Sequence, residues 1–128
     1  MREPHWLTRE ECLALHDLML SQYGGIAGVR DRNLLEPALA RARQLLANGK
    51  PRLAEMAAAY AAGIVKNHPF LDGNKRTGFT LGAAFLERNG FKFRAQETDV
   101  ALSTLALATG EMSEAAYTVW LKKDSRRT

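Results

Sequence analysis

Residues 67–78 read NHPFLDGNKRTG and lie between two stretches rich in alanine and glycine that have helical character. The segment places several polar and charged side chains in the most apolar part of the chain. Pro69 disfavours helical backbone at the preceding residue, and Gly73 permits a sharp turn. The segment therefore predicts a loop at the apex of a helical hairpin, and this hairpin organises the rest of the fold.

The two helices that flank the loop carry small residues at helical spacing. Residues 52–66 are dominated by alanine, and residues 74–89 include Gly78 and Gly82. Small side chains let two helix axes approach closely. We therefore predict a tight antiparallel pair with the loop at its apex.

Before the hairpin, the pattern predicts two further helices. Thr8 and Glu11 form a capping box that opens the first, and Asp31 is placed to cap the second. Between them, the glycine-rich residues 24–30 predict a mobile surface loop. Pro37 lies inside the second helical stretch, so we expect a break or kink near Glu36, with Pro37 opening a fresh first turn.

After the hairpin, Gly90 is placed to end the second helix of the pair. The alternating residues 91–94, FKFR, predict one short extended segment. Thr98 and Ser113 are candidate N-caps of two closing helices. The terminal basic run, residues 122–127, is interpreted as a frayed and solvated tail.

Length and composition indicate an ordinary globular domain. The chain has 128 residues, of which 46% are hydrophobic and 25% charged. The apolar runs are too short for a membrane span, and the first residues lack the pattern of a secretory signal. Cys12 is the single cysteine, which excludes an internal disulfide and favours the cytoplasm. The net charge of +4 is mild support for an anionic partner, but no aromatic and basic groove predicts direct nucleic-acid binding.

The start of the second hairpin helix predicts an anion site. The first backbone N–H groups of a helix lack intrahelical partners and form the positive end of its dipole. Lys75 and Arg76 add two cations where the dipole disfavours them, and a bound polyphosphate would account for both. Gly73 would let such a ligand approach the backbone. The spacing of glycines differs from that of a Walker A loop.

His68 and Asp72 supply the chemistry beside this anion site. His68 is suited to general-base catalysis, and Asp72 can hold Mg²⁺ together with phosphate oxygens. Structural roles stay open: Asp72 as a helix cap, Asn74 as a loop-orienting residue, and the basic pair, Lys75 and Arg76, as a solvated face. The concentration of these residues in one short segment favours phosphate chemistry.

The remaining histidines and the cysteine are given structural roles. His5 is expected to be exposed near the terminus, and His16 to lie on the helix surface or at the edge of the core. Cys12 is expected to be buried and unreactive.

The segment HPFLDGNKR, residues 68–76, resembles the signature of the Fic/Doc superfamily, His-x-Phe-x-Asp/Glu-Gly-Asn-Gly/Lys-Arg. Residues 13–42, 85–90 and 107–121 are similar to the corresponding parts of Doc (death on curing) toxins. The resemblance covers most of the chain. It implies an all-α fold over residues 1–128: a compact single-domain bundle of about six helices with at most one short extended segment.

The resemblance also indicates the reaction. Typical Fic enzymes transfer AMP from ATP to a protein hydroxyl, and they carry glycine where this chain has Lys75 and arginine where it has Phe79. Doc toxins share the lysine and act as protein kinases on a threonine of elongation factor Tu, which inhibits translation. The departures therefore favour transfer of the ATP γ-phosphate. Fic-type nucleotidyl transfer and a non-catalytic nucleotide-binding relative are the alternatives.

The resemblance assigns roles to individual residues. His68 would be the base, and Asp72 the carboxylate that holds Mg²⁺. Lys75 and Arg76 would also stabilise charge in the transition state. The residues expected to hold ATP are Lys66, Gly73, Asn74, Lys75 and Arg76.

Regulation is expected to come from a second chain. Self-restrained Fic proteins carry an inhibitory Ser/Thr-x-x-x-Glu-Gly/Asn motif, whereas no glutamate in this sequence is followed by glycine or asparagine. The resemblance therefore implies an antitoxin of the Phd type, with a disordered segment that folds as a helix into a groove of the toxin.

Overall fold

The computed structural model describes residues 3–128, and this range contains six α-helices and two short β-strands. The predicted all-α fold of about six helices is confirmed. No helix in this range is long and apolar enough to cross a membrane. The elements are α1 (Arg9–Tyr23), α2 (Arg32–Ala47), α3 (Leu53–Asn67), α4 (Asn74–Arg88), β1 (Phe91–Phe93), α5 (Glu97–Thr109), α6 (Glu114–Lys123) and β2 (Ser125–Arg127).

Helix α3 is the centre of the core, and its small residues let two neighbours approach. A Cβ atom added to Gly82 of α4 would lie 2.9 Å from the carbonyl oxygen of Ala57. On the α2 side, a Cβ atom added to Gly63 would lie 2.8 Å from the carbonyl oxygen of Ala38. The tight packing predicted for α3 and α4 is confirmed, and it fixes the loop between them at one end of the core.

The caps of α1 and α2 are those that the sequence predicts. The Glu11 N–H donates to Thr8 Oγ1 at 3.1 Å, and the Thr8 N–H donates to Glu11 Oε1 at 2.9 Å. Asp31 Oδ1 accepts the Asn33 N–H at 2.9 Å. The reciprocal pair in α1 and the single bond in α2 satisfy backbone donors that a helix leaves unpaired at its start.

A break near Glu36, with Pro37 opening a fresh first turn, is wrong, because α2 runs without interruption from Arg32 to Ala47. Proline removes one intrahelical hydrogen bond, to the carbonyl oxygen of Asn33. Both Asn33 and Pro37 are exposed, so water can satisfy that oxygen. Burial of Leu35 and Ala38 on the opposite face keeps the helix continuous.

The chain end differs from the sequence-based prediction. The strand at residues 91–93 is confirmed, but residues 125–127 form a second strand that pairs with it antiparallel. The expectation of one extended segment and a frayed tail is therefore wrong. A strand needs partners for its backbone groups, and the terminal segment supplies them. The Thr128 N–H also donates to the Gly90 carbonyl oxygen at 2.8 Å.

One of the two predicted caps of the closing helices is correct. Ser113 caps α6 by accepting the Ala116 N–H at 3.0 Å. Helix α5 instead begins at Glu97, with Gln96 as its N-cap and no side-chain cap. Thr98 therefore lies inside the first turn, where Glu97 and Asp99 interact favourably with the helix dipole.

Candidate active site

The loop between α3 and α4 begins and ends with left-handed backbone. His68 ends α3 with φ 52° and ψ 56°, and among the described residues it is the only non-glycine with positive φ. Gly73 precedes α4 with φ 78°. Because non-glycine residues rarely adopt this conformation outside sites that require it, His68 stands out within the fold. Its side chain is exposed.

Phe70 and Asn74 fix the middle of the loop. Phe70 is 1% exposed, as an apolar anchor should be. Asn74 Oδ1 accepts the Phe70 N–H at 3.1 Å, and Asn74 Nδ2 donates to the Phe70 carbonyl oxygen at 3.0 Å. The buried Asn74 side chain therefore orients the loop, and it has no free polar atom to offer at the helix start beyond these two bonds to Phe70.

The first turn of α4 has the open donors of an anion site. Gly73 provides no side-chain cap, and within residues 3–128 the backbone N–H groups of Asn74, Lys75 and Arg76 have no acceptor. The Thr77 N–H is the first to bond inward, to the Gly73 carbonyl oxygen at 3.0 Å. Three adjacent N–H groups at the positive end of a helix dipole can bind a phosphate.

Asp72 reaches two segments with its exposed carboxylate. Oδ1 accepts the Gly73 N–H at 2.9 Å, and Oδ2 accepts the Ile26 N–H at 3.2 Å. No group of three or more potential metal ligands occurs among residues 3–128. A single carboxylate fits Mg²⁺, which commonly takes one or two carboxylates and fills its other positions with phosphate oxygens and water.

A cavity of about 1050 Å³ opens in front of this helix start. It brings together most of the predicted site residues, namely Asp72, Gly73, Asn74, Lys75 and Arg76. Arg76 stacks over the Tyr23 ring with its guanidinium carbon 3.8 Å from the ring centroid. Lys66 and His68 are exposed and do not line the cavity.

Comparison with known proteins assigns the chain to a family. The family model described as the Fic/DOC family matches residues 6–86, which include the whole loop. The chain belongs to the Fic/DOC family.

Two curated Fic/DOC relatives are similar over most of the chain. "Protein kinase doc" of Escherichia phage P1 is 33% identical over 118 residues, which cover 91% of this chain and 93% of the relative. "Toxin Doc" of Mycolicibacterium smegmatis (strain ATCC 700084 / mc(2)155) is 36% identical over 92 residues, 70% of this chain and 68% of the relative. The resemblance to Doc inferred from the sequence is confirmed.

Phe79 lies where typical Fic enzymes carry a second arginine, and the structure gives it an apolar role. Its ring centroid lies 5.6 Å from that of Phe93 and 6.2 Å from that of Trp120. Phe79 and Phe93 line one wall of the cavity together with Lys92 and Arg94, whereas Trp120 does not line it. This position of the Fic/DOC site therefore presents an aromatic surface rather than a cation.

The amino-acid sequence did not predict the contact between His16 and the loop. His16 is 3% exposed, and its Nε2 lies 2.8 Å from the Asp72 carbonyl oxygen, so the helix surface, one of its two expected places, is wrong. The available signal was its position one helical turn after Cys12, on the buried face of α1. Its partner lies 56 residues away, and helical spacing cannot reveal such a contact.

The other two structural interpretations are confirmed. His5 is exposed. Cys12 is 0% exposed, and burial raises the pKa of its thiol to about 12, which leaves it protonated and unreactive at neutral pH.

Proposed function

We propose that this chain is the toxin of a toxin–antitoxin pair and a protein kinase. It transfers the γ-phosphate of ATP to a threonine hydroxyl of elongation factor Tu, in the cytoplasm, and so inhibits translation. The observation that carries the proposal is the uncapped start of α4, with Asp72, Lys75 and Arg76 on one cavity. The names of the relatives, "Protein kinase doc" and "Toxin Doc", support it.

The triphosphate of ATP binds at the start of α4. The N–H groups of Asn74, Lys75 and Arg76 donate to phosphate oxygens, and the two cationic side chains and Lys66 add charge-assisted bonds. Asp72 is the residue that would hold Mg²⁺, which supplies charge neutralisation on the phosphates when bound. Asn74 contributes by holding the loop, since both ends of its side chain bond to Phe70.

His68 acts as the general base. It accepts the proton of the threonine hydroxyl as the oxygen forms a bond to the γ-phosphorus. The bond between that phosphorus and the oxygen bridging it to the β-phosphate breaks, and ADP leaves with the electron pair. Lys75 and Arg76 stabilise the charge that spreads over the phosphoryl oxygens in the transition state.

The aromatic environment of Phe79 favours phosphoryl transfer over AMP transfer. A Fic site that transfers AMP uses an arginine at this place to bind a phosphate, whereas Phe79 packs against Phe93 and Trp120. An apolar ring offers no donor to a phosphate oxygen. Lys75 also adds a cation within the anion site itself, where typical Fic enzymes have glycine.

A Phd-type antitoxin restrains the toxin in this proposal. A disordered segment of the antitoxin folds as a helix into a groove of the toxin. Lys92 and Arg94 on the cavity wall would attract an acidic segment. We expect no membrane partner and no direct nucleic-acid binding.

Intact-mass measurement of elongation factor Tu after incubation with the protein, ATP and Mg²⁺ tests the proposal. We expect the gain of one phosphoryl group. His68→Ala should slow the reaction by about 10²–10⁴-fold, the usual contribution of a general base, while His5→Ala should leave the rate unchanged. Gain of a nucleotidyl group would instead identify an AMP transferase, and an unchanged mass with any nucleotide would support a non-catalytic relative.

A further inference from the structure

We infer that His16 is a positioning residue of the proposed active site, which holds the Asp72–Gly73 peptide from α1 and so orients the Asp72 carboxylate toward the magnesium of the bound nucleotide. The inference rests on the proposed function. It assigns a role to a buried polar side chain that lies outside the loop motif.

The His16 ring contacts the loop on two sides. Its Nε2 atom lies 2.8 Å from the Asp72 carbonyl oxygen. Since a carbonyl oxygen only accepts, Nε2 must carry the hydrogen in this contact. The ring also stacks on Phe70, with centroids 3.8 Å apart and planes 9° from parallel. α1 thus holds the loop by one directional bond and one apolar contact.

The peptide group between Asp72 and Gly73 connects His16 to the carboxylate. Its carbonyl oxygen accepts from His16, and its N–H donates to Asp72 Oδ1 at 2.9 Å. Rotation of this peptide plane would break both bonds together. Gly73 would permit such rotation, because glycine has a wide range of backbone angles. The His16 hydrogen bond therefore restrains the carboxylate through one rigid planar group.

Core packing alone does not account for a histidine at this position. An apolar side chain of similar size could fill the space beside Phe70, yet it would leave the Asp72 carbonyl oxygen without its donor. Residues that orient a metal ligand by hydrogen bonds commonly change metal affinity 10–100-fold when they are replaced. We expect the same range for loss of the His16 donor.

Matched substitutions separate the hydrogen bond from the packing. His16→Gln keeps an N–H donor on a side chain of similar reach, and His16→Met keeps the length and flexibility of glutamine without a donor. His16→Phe keeps an aromatic ring against Phe70 and also lacks the donor. His5→Met is the control, since His5 is exposed and far along the chain from the loop.

The test is isothermal titration of the full chain and its variants with a non-hydrolysable ATP analogue, with Mg²⁺ and with chelator. We expect His16→Met and His16→Phe to weaken binding about 10–100-fold with Mg²⁺ and much less with chelator. His16→Gln should bind within a few-fold of the wild type. Thermal melting identifies variants that fail to fold. If His16→Phe fails to fold, the comparison of His16→Gln with His16→Met decides the test.

Three results would overturn the inference. Equal Mg²⁺-dependent affinity in His16→Met and the wild type would exclude a positioning role, and equal loss in folded His16→Gln and His16→Met would show that the donor is irrelevant. Failure of both His16→Gln and His16→Met to fold would show that His16 is required for core packing, which would replace the positioning role. A wild-type chain that binds no nucleotide would refute the proposed function itself, whereas binding with an unaffected methionine variant would refute this inference alone.

Discussion

At the scale of single residues, the loop divides into side chains that hold its shape and side chains that face the cavity. Phe70 and Asn74 are buried, and Asn74 closes a pair of hydrogen bonds on the Phe70 backbone. Asp72, Lys75 and Arg76 are exposed. A preorganised phosphate site requires buried side chains that hold the loop rigid and charged side chains that are exposed to the ligand.

Asn74→Ala should destabilise the protein. Both backbone groups of Phe70 would lose their partners in a buried setting, so we expect a loss of about 2 kcal/mol in the free energy of unfolding. Urea denaturation of this variant beside Asn33→Ala, an exposed asparagine of α2, measures the difference. Equal stability of the two variants would show that the Asn74 bonds do not hold the loop.

The amino-acid sequence predicted the loop motif but not the contact with α1 that holds the loop in place. The end of α3 near His68 and the anchoring by Phe70 follow from local rules about proline and burial. The left-handed backbone of His68 does not follow from them, because a residue before proline favours extended backbone. The His16 contact does not follow from them either, because it joins residues 56 positions apart and depends on the angle at which α1 crosses the loop. Only the assembled fold specifies that angle.

At the scale of elements, the close approach of α3 and α4 places the site. Gly78 and Gly82 of α4 face the backbone and small side chains of α3, and a Cβ atom at Gly78 would lie 2.7 Å from Val65 Cγ1. The interior is too densely packed to absorb such an atom without a shift. The distance between these helices therefore sets the geometry of the loop that joins them.

Gly82→Val should separate the two helices and destabilise the fold by about 1–3 kcal/mol, the usual cost of overpacking a core. Gly49→Ala is the control, because its added Cβ would meet its nearest neighbour, the Leu45 carbonyl oxygen, at 3.8 Å. Thermal unfolding of both variants provides the comparison. A Gly82→Val variant as stable as Gly49→Ala would contradict the close packing.

Element boundaries were predictable where a local cap sets them and unpredictable where tertiary contacts do. Thr8, Asp31 and Ser113 cap helices through neighbours three or fewer residues away. Pro37 fails to break α2 because burial on the opposite face outweighs one lost bond. The strand at residues 125–127 has no apolar alternation, and it forms because residues 91–93 offer it an edge.

At the scale of the whole molecule, contacts join α1 and the residues before it to the far end of α4 and the residue that follows it. Glu11 forms an ion pair with Arg88. The His5 N–H donates to Asn89 Oδ1 at 2.8 Å. Since α4 begins at the loop, contacts that fix its far end also restrain the orientation of the helix that starts the site.

Stability should therefore fall in acid through Glu11. The Arg88 hydrogen bond, with the Thr8 N–H, lowers the pKa of Glu11 from 4.5 to about 2. Because the pKa of Glu11 is lower in the folded state than in the unfolded chain, its ionised carboxylate stabilises the fold at pH values above about 4.5. This contribution disappears as the pH falls from about 4.5 to 2.

Glu11→Gln keeps an oxygen for the Thr8 N–H but loses the charge. We expect it to be less stable than the wild type at pH 7, by at most about 1 kcal/mol because the pair is partly exposed. The two should converge near pH 2. Urea denaturation of both proteins at pH 7, 4 and 2.5 checks this. A stability difference between them that stays the same at all three pH values would show that the Glu11–Arg88 ion pair is not its cause.

The most direct measurement of the central claim is a crystal structure of the protein with Mg²⁺ and a non-hydrolysable ATP analogue. The proposed kinase predicts a triphosphate on the first N–H groups of α4, Asp72 beside the metal, and the γ-phosphorus as the phosphorus closest to the His68 ring. An α-phosphorus closest to His68, or a triphosphate bound away from α4, would contradict it.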